Sequence, residues 1–189
     1  NGFPEGPDRA LMLGYLDSDA DTTSSVTVTG LPGLFAQQGY EVAVYALGGV
    51  AGRGGAYRLV DPATGWPLTD YIQAQSPASP SEHAQVPTDD PEAWGEGTYL
   101  VLGPVTAKDV VVEGTTVDPY GFGDPNRAPI NAVQIVESAQ GPPVMGNVAW
   151  VSFHEADDTP SDAAASAGFT EAPDVLYNTA LRNDGYSVD

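Results

Sequence analysis

Three aspartates at alternating positions, Asp17, Asp19 and Asp21 in "DSDADTTSS" (residues 17–25), are the first residues whose type and spacing could do chemistry. Hard carboxylate oxygens in a turn of the D-x-D-x-D kind can wrap Ca²⁺, so a structural calcium site is one expectation. The glycine and the distant bidentate glutamate of a complete EF-hand loop are missing. The competing expectation is an acidic hairpin turn in an acidic chain.

Aromatic rings in loop surroundings offer a second chemistry. Pyranose C–H faces pack on flat rings while neighbouring polar groups take the hydroxyls. Trp66, Trp94, Tyr71 and Tyr120, with Phe122, are the candidates for such a platform. Arg53, Arg58 and Arg127 stand out because basic residues are scarce, and a guanidinium can grip a carboxylated or sulfated sugar in two places. Of these, Arg53 and Arg127 join the four aromatics as the expected ligand-binding set. The plainer alternative has the rings anchoring loops with their polar tips outside, and each arginine paired with a surface acid.

Two further stretches invite chemistry. "SFHEADD" (152–158) holds His154, Glu155, Asp157 and Asp158 after an apolar run, where open α/β sheets place a ligand crevice. A lone loop does not assemble a catalytic constellation, and the chain has only two histidines. "GGVAGRGG" (48–55) lacks the G-K-[ST] ending of a phosphate loop and opens no helix, so it is read as hairpin glycine. No G-x-S-x-G, H-E-x-x-H or Cys–His pairing occurs, and a catalytic role is not expected of this chain. It could still be part of a larger enzyme.

Composition bounds the rest. Six basic residues face 26 acidic ones, for a formal net charge of −20. Such a surface repels nucleic acid and anionic headgroups, and no stretch is long and apolar enough for membrane insertion as a helix. There is no cysteine, hence no disulfide or thiolate chemistry. Gly 22 and Pro 17, with many Val and Thr, point to short strands and turns. Asn1 looks like an excised or processed end.

Strand patterns fall at 10–16, 25–30, 39–47, 56–61, 69–75, 97–105, 108–114 and 130–136, with long loops over 76–96 and 115–129. In "GYEVAVYAL", Val42 and Val44 share one face and Ala43 and Tyr45 the other. No helix is expected before Ser138. The expected fold is mainly β, an antiparallel β-sandwich (jelly roll) over 1–138 with a C-terminal strand-helix extension. A linker at 139–146 precedes "NVAWVSF", which reads as a strand buried in a parallel sheet, and residues 173–185 read as a helix. Residues 147–189 are therefore expected to begin an incomplete α/β domain, with the chain stopping inside it.

"MLGYLDS", "VTVTGLP", "GYEVAVYALGG", "GRGGAYRL" and "RAPINAVQIV" together resemble a galactose-binding-like jelly-roll module of large secreted proteins of planctomycetes and related bacteria. The likeness covers about residues 9–137. "VAWVSFHEADDTPSDAAASAGFTEAPDVLY" resembles the opening of a flavodoxin-like α/β domain that follows such modules. The resemblance implies a non-catalytic, extracellular or cell-surface carbohydrate-binding module of a larger protein. The alternative is a structural or adhesive scaffold module whose partners are other cell-surface proteins.

Overall fold

The alternation in "YEVAVY" sets the architecture, because a strand turns successive side chains to opposite faces. In the computed structural model, which describes residues 2–88, 90, 93–121, 127–138 and, for the backbone only, 148–152, Val42 and Val44 enter one apolar core while Ala43 and Tyr45 enter another. In chain order the elements are α1 (Pro7–Leu11), β1 (Thr23–Val28), α2 (Gly33–Gln38), β2 (Tyr40–Tyr45), β3 (Gly54–Val60), β4 (Ile72–Gln75), β5 (Gly95–Glu96), β6 (Tyr99–Val105), β7 (Val110–Thr115), β8 (Ala132–Glu137) and β9 (Val148–Ser152).

They form two sheets, ordered β1-β7-β3-β4-β5 and β6-β2-β8-β9. The chain crosses between sheets at β1 to β2, β2 to β3, β5 to β6, β6 to β7 and β7 to β8, while β3 to β5 and β8 to β9 each stay within one sheet. The two sheets pack as a β-sandwich, and their named strands pair antiparallel except for β4 with β5. Val26, Tyr57, Leu59, Val110 and Val112 from the first sheet meet Tyr40, Val42, Leu100, Val133 and Ile135 from the second. Each such aliphatic side chain contributes about 1.5–3 kcal/mol of burial. The buried tyrosines keep their hydroxyls satisfied, Tyr40 donating to the Ala107 carbonyl at 2.9 Å and Tyr57 to that of Pro129 at 2.9 Å.

The outer face of the second sheet carries the smaller core. Phe3 and Met12 cover Ala43, Tyr45, Leu47 and Ala132 there, and His83 packs between the rings of Phe3 and Tyr45 at 4.9 and 5.2 Å. The N-terminal segment is thus a second layer rather than a strand. Residues 10–16 were expected to be extended, and this is corrected by the structure. Pro7 at the first helical position and Asp8 in the first turn open the short helix α1, and only Leu16 makes a strand-like bridge, to Ile130. Helix α2 is also unforeseen. It is a six-residue turn anchored by buried Phe35, and it ends at Gly39, whose φ of 84° lets the chain swing into β2.

β9 lies where a strand is expected, but its pairing differs. It runs antiparallel to β8, with Val133 opposite Val151, and not in a parallel sheet. A continuous apolar run marks a covered strand without encoding its direction. The linker at 139–146, the helix over 173–185, Phe122, and the acidic cluster of His154, Glu155, Asp157 and Asp158 lie outside the described residues.

The buried tyrosines predict how stability responds to alkali. Burial, with the Asp109 carboxylate adding, pushes the Tyr40 phenol up to about 12, and burial alone raises Tyr57 further. These phenols keep their protons in the fold at a pH where the unfolded chain has released its own, so the unfolded state binds fewer protons. Their stabilisation is intact below about pH 10 and is lost as pH rises towards the folded values. Urea midpoints should therefore fall steeply above about pH 10, with Tyr40 accounting for about 2–3 kcal/mol. The slope should be shallower in Tyr40→Phe. Midpoints that stay level through this range would contradict the assignment.

Candidate binding surface on the β3–β4 hairpin

Trp66 sits in a turn whose backbone is tied from several sides. As β3 ends, the Asp61 carboxylate accepts from Ala63 N at 2.8 Å and the Asp61 carbonyl from Gly65 N at 2.8 Å. Asp61 N donates to the Trp66 carbonyl at 2.9 Å, and Trp66 N donates to Thr64 Oγ1 at 3.2 Å. Gly65 supplies the positive φ of 73° that the turn requires. Past the turn, Pro67 bridges Val60. The result is an indole 73% exposed on a well-built turn. Leaving so large an apolar side chain in water forgoes about 2 kcal/mol of burial.

Further down the same hairpin, the outer face of the first sheet gathers a polar cluster. Alternation along β3 turns Tyr57 and Leu59 inward and Arg58 outward. The ladder sets Arg58 opposite Glu113 of β7, and Arg58 Nε donates to Glu113 Oε2 at 2.7 Å. The guanidinium lies 4.5 Å above the Tyr71 ring, close enough for a cation–π contact. Tyr120 Oη donates to the Tyr71 carbonyl at 3.1 Å, which brings two of the expected aromatics together. Burial raises the Tyr71 phenol above its ordinary value; Arg58 opposes that while Glu113 and Tyr120 add to it. At neutral pH Tyr71 is therefore a protonated hydroxyl, able to donate to a ligand oxygen.

The other expected residues go elsewhere. Trp94 is half-buried just before β5. Arg53 folds back on its own loop, donating to the Gly48 carbonyl at 3.2 Å. Arg127 forms an ion pair with Asp17, so an expected sugar ligand and an expected metal ligand neutralise each other. Asp19 contributes its backbone carbonyl, which accepts from the hydroxyls of Thr22 at 2.6 Å and Thr116 at 2.7 Å. Asp21 takes a left-handed φ of 58°, which aspartate tolerates in turns. The 17–22 turn is thus held by threonine hydroxyls and an arginine. Among the described residues, no three His, Cys, Asp or Glu side chains converge as a metal-binding group.

The expected ligand-binding set omitted Arg58 and Glu113, although period-2 alternation in "GGAYRLV" places Arg58 on the outer face. Compared with family models, curated proteins and solved structures, the chain matches none of them.

Proposed function

We propose that the sandwich is a non-catalytic carbohydrate-binding module of a larger secreted or surface protein, with Trp66 as its stacking platform. The observation that carries this reading is the exposed indole on a hydrogen-bonded turn. Because the turn is already ordered, stacking a sugar on the indole costs little further conformational entropy. Tyr71, Tyr120 and Arg58 supply hydrogen-bonding groups further along the hairpin. The ligand class is an uncharged glycan, since Arg58 is already compensated by Glu113 and a net charge of −20 repels anionic sugars. A shallow site of this kind gives modest affinity.

A glycan-array screen of the purified chain beside its Trp66→Ala variant tests the proposal. Wild type should bind a class of neutral glycans, and the variant should lose about tenfold or more in affinity. Its melting temperature should hardly move, because an exposed residue contributes little to folding. A wild-type chain that binds no glycan, or a variant that binds as well as wild type, would sink the proposal.

A further inference from the structure

The two sheets treat their edges differently. An edge strand presents unpaired backbone groups, and natural sheets usually blunt it with proline, charge, a bulge or brevity. β6, at one edge of the second sheet, carries Pro104 and faces a register shift between Tyr40 and Val42 of β2. β5, at one edge of the first sheet, is two residues long and exposes Glu96. β1, at the opposite edge, has none of these devices. Its six residues, TSSVTV, pair with β7 in unbroken register from Thr23–Thr115 to Val28–Val110. They include no charge and no proline, and Thr23, Ser25 and Thr27 are exposed. Among the described residues no strand pairs with the other side of β1. It offers an uncharged ladder about 20 Å long, enough for strand addition.

The charges at its two ends say what fits. The turn leading into β1 exposes Asp19 and Asp21. At the far end of β1, Leu31 N donates to the Lys108 carbonyl at 3.3 Å, which places the chain's single lysine there with its side chain exposed. The neighbouring Asp109 carboxylate accepts from Gly30 N at 2.7 Å. An antiparallel pair of identical β1 strands about a twofold axis at Ser25 sets Thr23 of one copy opposite Thr27 of the other, since opposed residues must share a face of the sheet. The acidic turn of each copy then lies beside the lysine of its mate, and the contact occurs twice by symmetry.

We propose that β1 is the interface of a homodimer, in which a second copy of this chain pairs antiparallel along the strand and joins the two five-stranded sheets into one. The end charges set the register, and the uncharged centre lets two strongly acidic molecules meet.

The test is a charge swap read by analytical ultracentrifugation of the full chain. Wild type should sediment as a dimer. Asp19→Lys sets lysine against lysine at both ends, and Lys108→Glu sets acid against acid, so each variant alone should dimerise about tenfold or more weakly. An equimolar mixture of the two restores both attractive contacts and should dimerise again. Both substituted positions are exposed, and circular dichroism with a thermal melt verifies that each variant is folded. A monomeric wild type, single variants that associate like wild type, or a mixture that stays monomeric would each overturn the proposal.

Discussion

Gly54→Ala is expected to destabilise the sandwich by about 3 kcal/mol, although it adds a single methyl group. Gly54 opens β3 and pairs with Gln75 of β4. A Cβ there would run into the Ala74 carbonyl oxygen and come within 2.7 Å of the Gln75 Cα. Both are backbone atoms of the neighbouring strand, so no side-chain rotation relieves the clash. β4 would have to move away, straining the bonds from Gly52 N to the Ser76 carbonyl at 2.9 Å and from Ser76 N to the Arg53 carbonyl at 2.6 Å. Gly49→Ala is the control. A methyl group at Gly49 meets open space, and its only penalty is the positive φ of 70°, about 1–2 kcal/mol. Urea unfolding of the two variants should therefore give clearly different midpoints, with Gly54→Ala the lower. Equal midpoints would mean that the β3–β4 ladder has slack that the close approach does not show.

"GGVAGRGG" also shows how far local reading reaches. Gly49 and Gly52 take positive φ values in the turn, as hairpin glycines should. Gly54 and Gly55 belong to the strand, and their smallness answers to Ala74 and Ala128, neighbours that no local pattern reveals. The two faces of β2 were legible because alternation is a property of the strand itself. What covers the outer face was not, since Phe3 and Met12 flank a short helix, Pro7–Leu11, that sequence pattern merges with an extended run. Helix α2 escaped for a related reason. Six residues with one buried anchor are too few to show a helical period.

The candidate surface divides along the same line. Trp66 between two turn-forming stretches was readable as a loop tryptophan, and alternation carries the outward placement of Arg58. The pairing of Asp17 with Arg127 joins residues more than a hundred positions apart, so each looked available for a ligand when read alone. The contact of Tyr71 with Tyr120 likewise joins residues distant in sequence, one just before β4 and the other after β7.

Asn131→Asp is the second large effect, and its pH dependence identifies its cause. Asn131, within "RAPINAVQIV", is fully buried, and its amide ties three parts of the chain together. Oδ1 accepts from Leu47 N at 2.6 Å, while Nδ2 donates to the Gly14 carbonyl at 3.0 Å and the Leu47 carbonyl at 3.3 Å. These bonds hold the segment after α1 against the end of β2. Aspartate keeps the shape but replaces the donating nitrogen with an oxygen that faces two carbonyls. At neutral pH the variant must bury an unpaired charge or hold a proton against its ordinary affinity, a cost of about 3–5 kcal/mol. The carboxyl pKa is raised in the folded state, so the folded variant binds more protons than the unfolded one between the two values. Its deficit should thus shrink as pH falls towards about 4 and grow as pH rises. Asn131→Leu loses the same bonds without gaining a titratable group, so its deficit relative to wild type should not follow that curve. Urea midpoints of wild type and both variants, measured on either side of neutrality, separate the cases. A deficit in Asn131→Asp that is flat with pH would show that water reaches the site, and no deficit at all would remove Asn131 as the tie between the N-terminal layer and the sandwich.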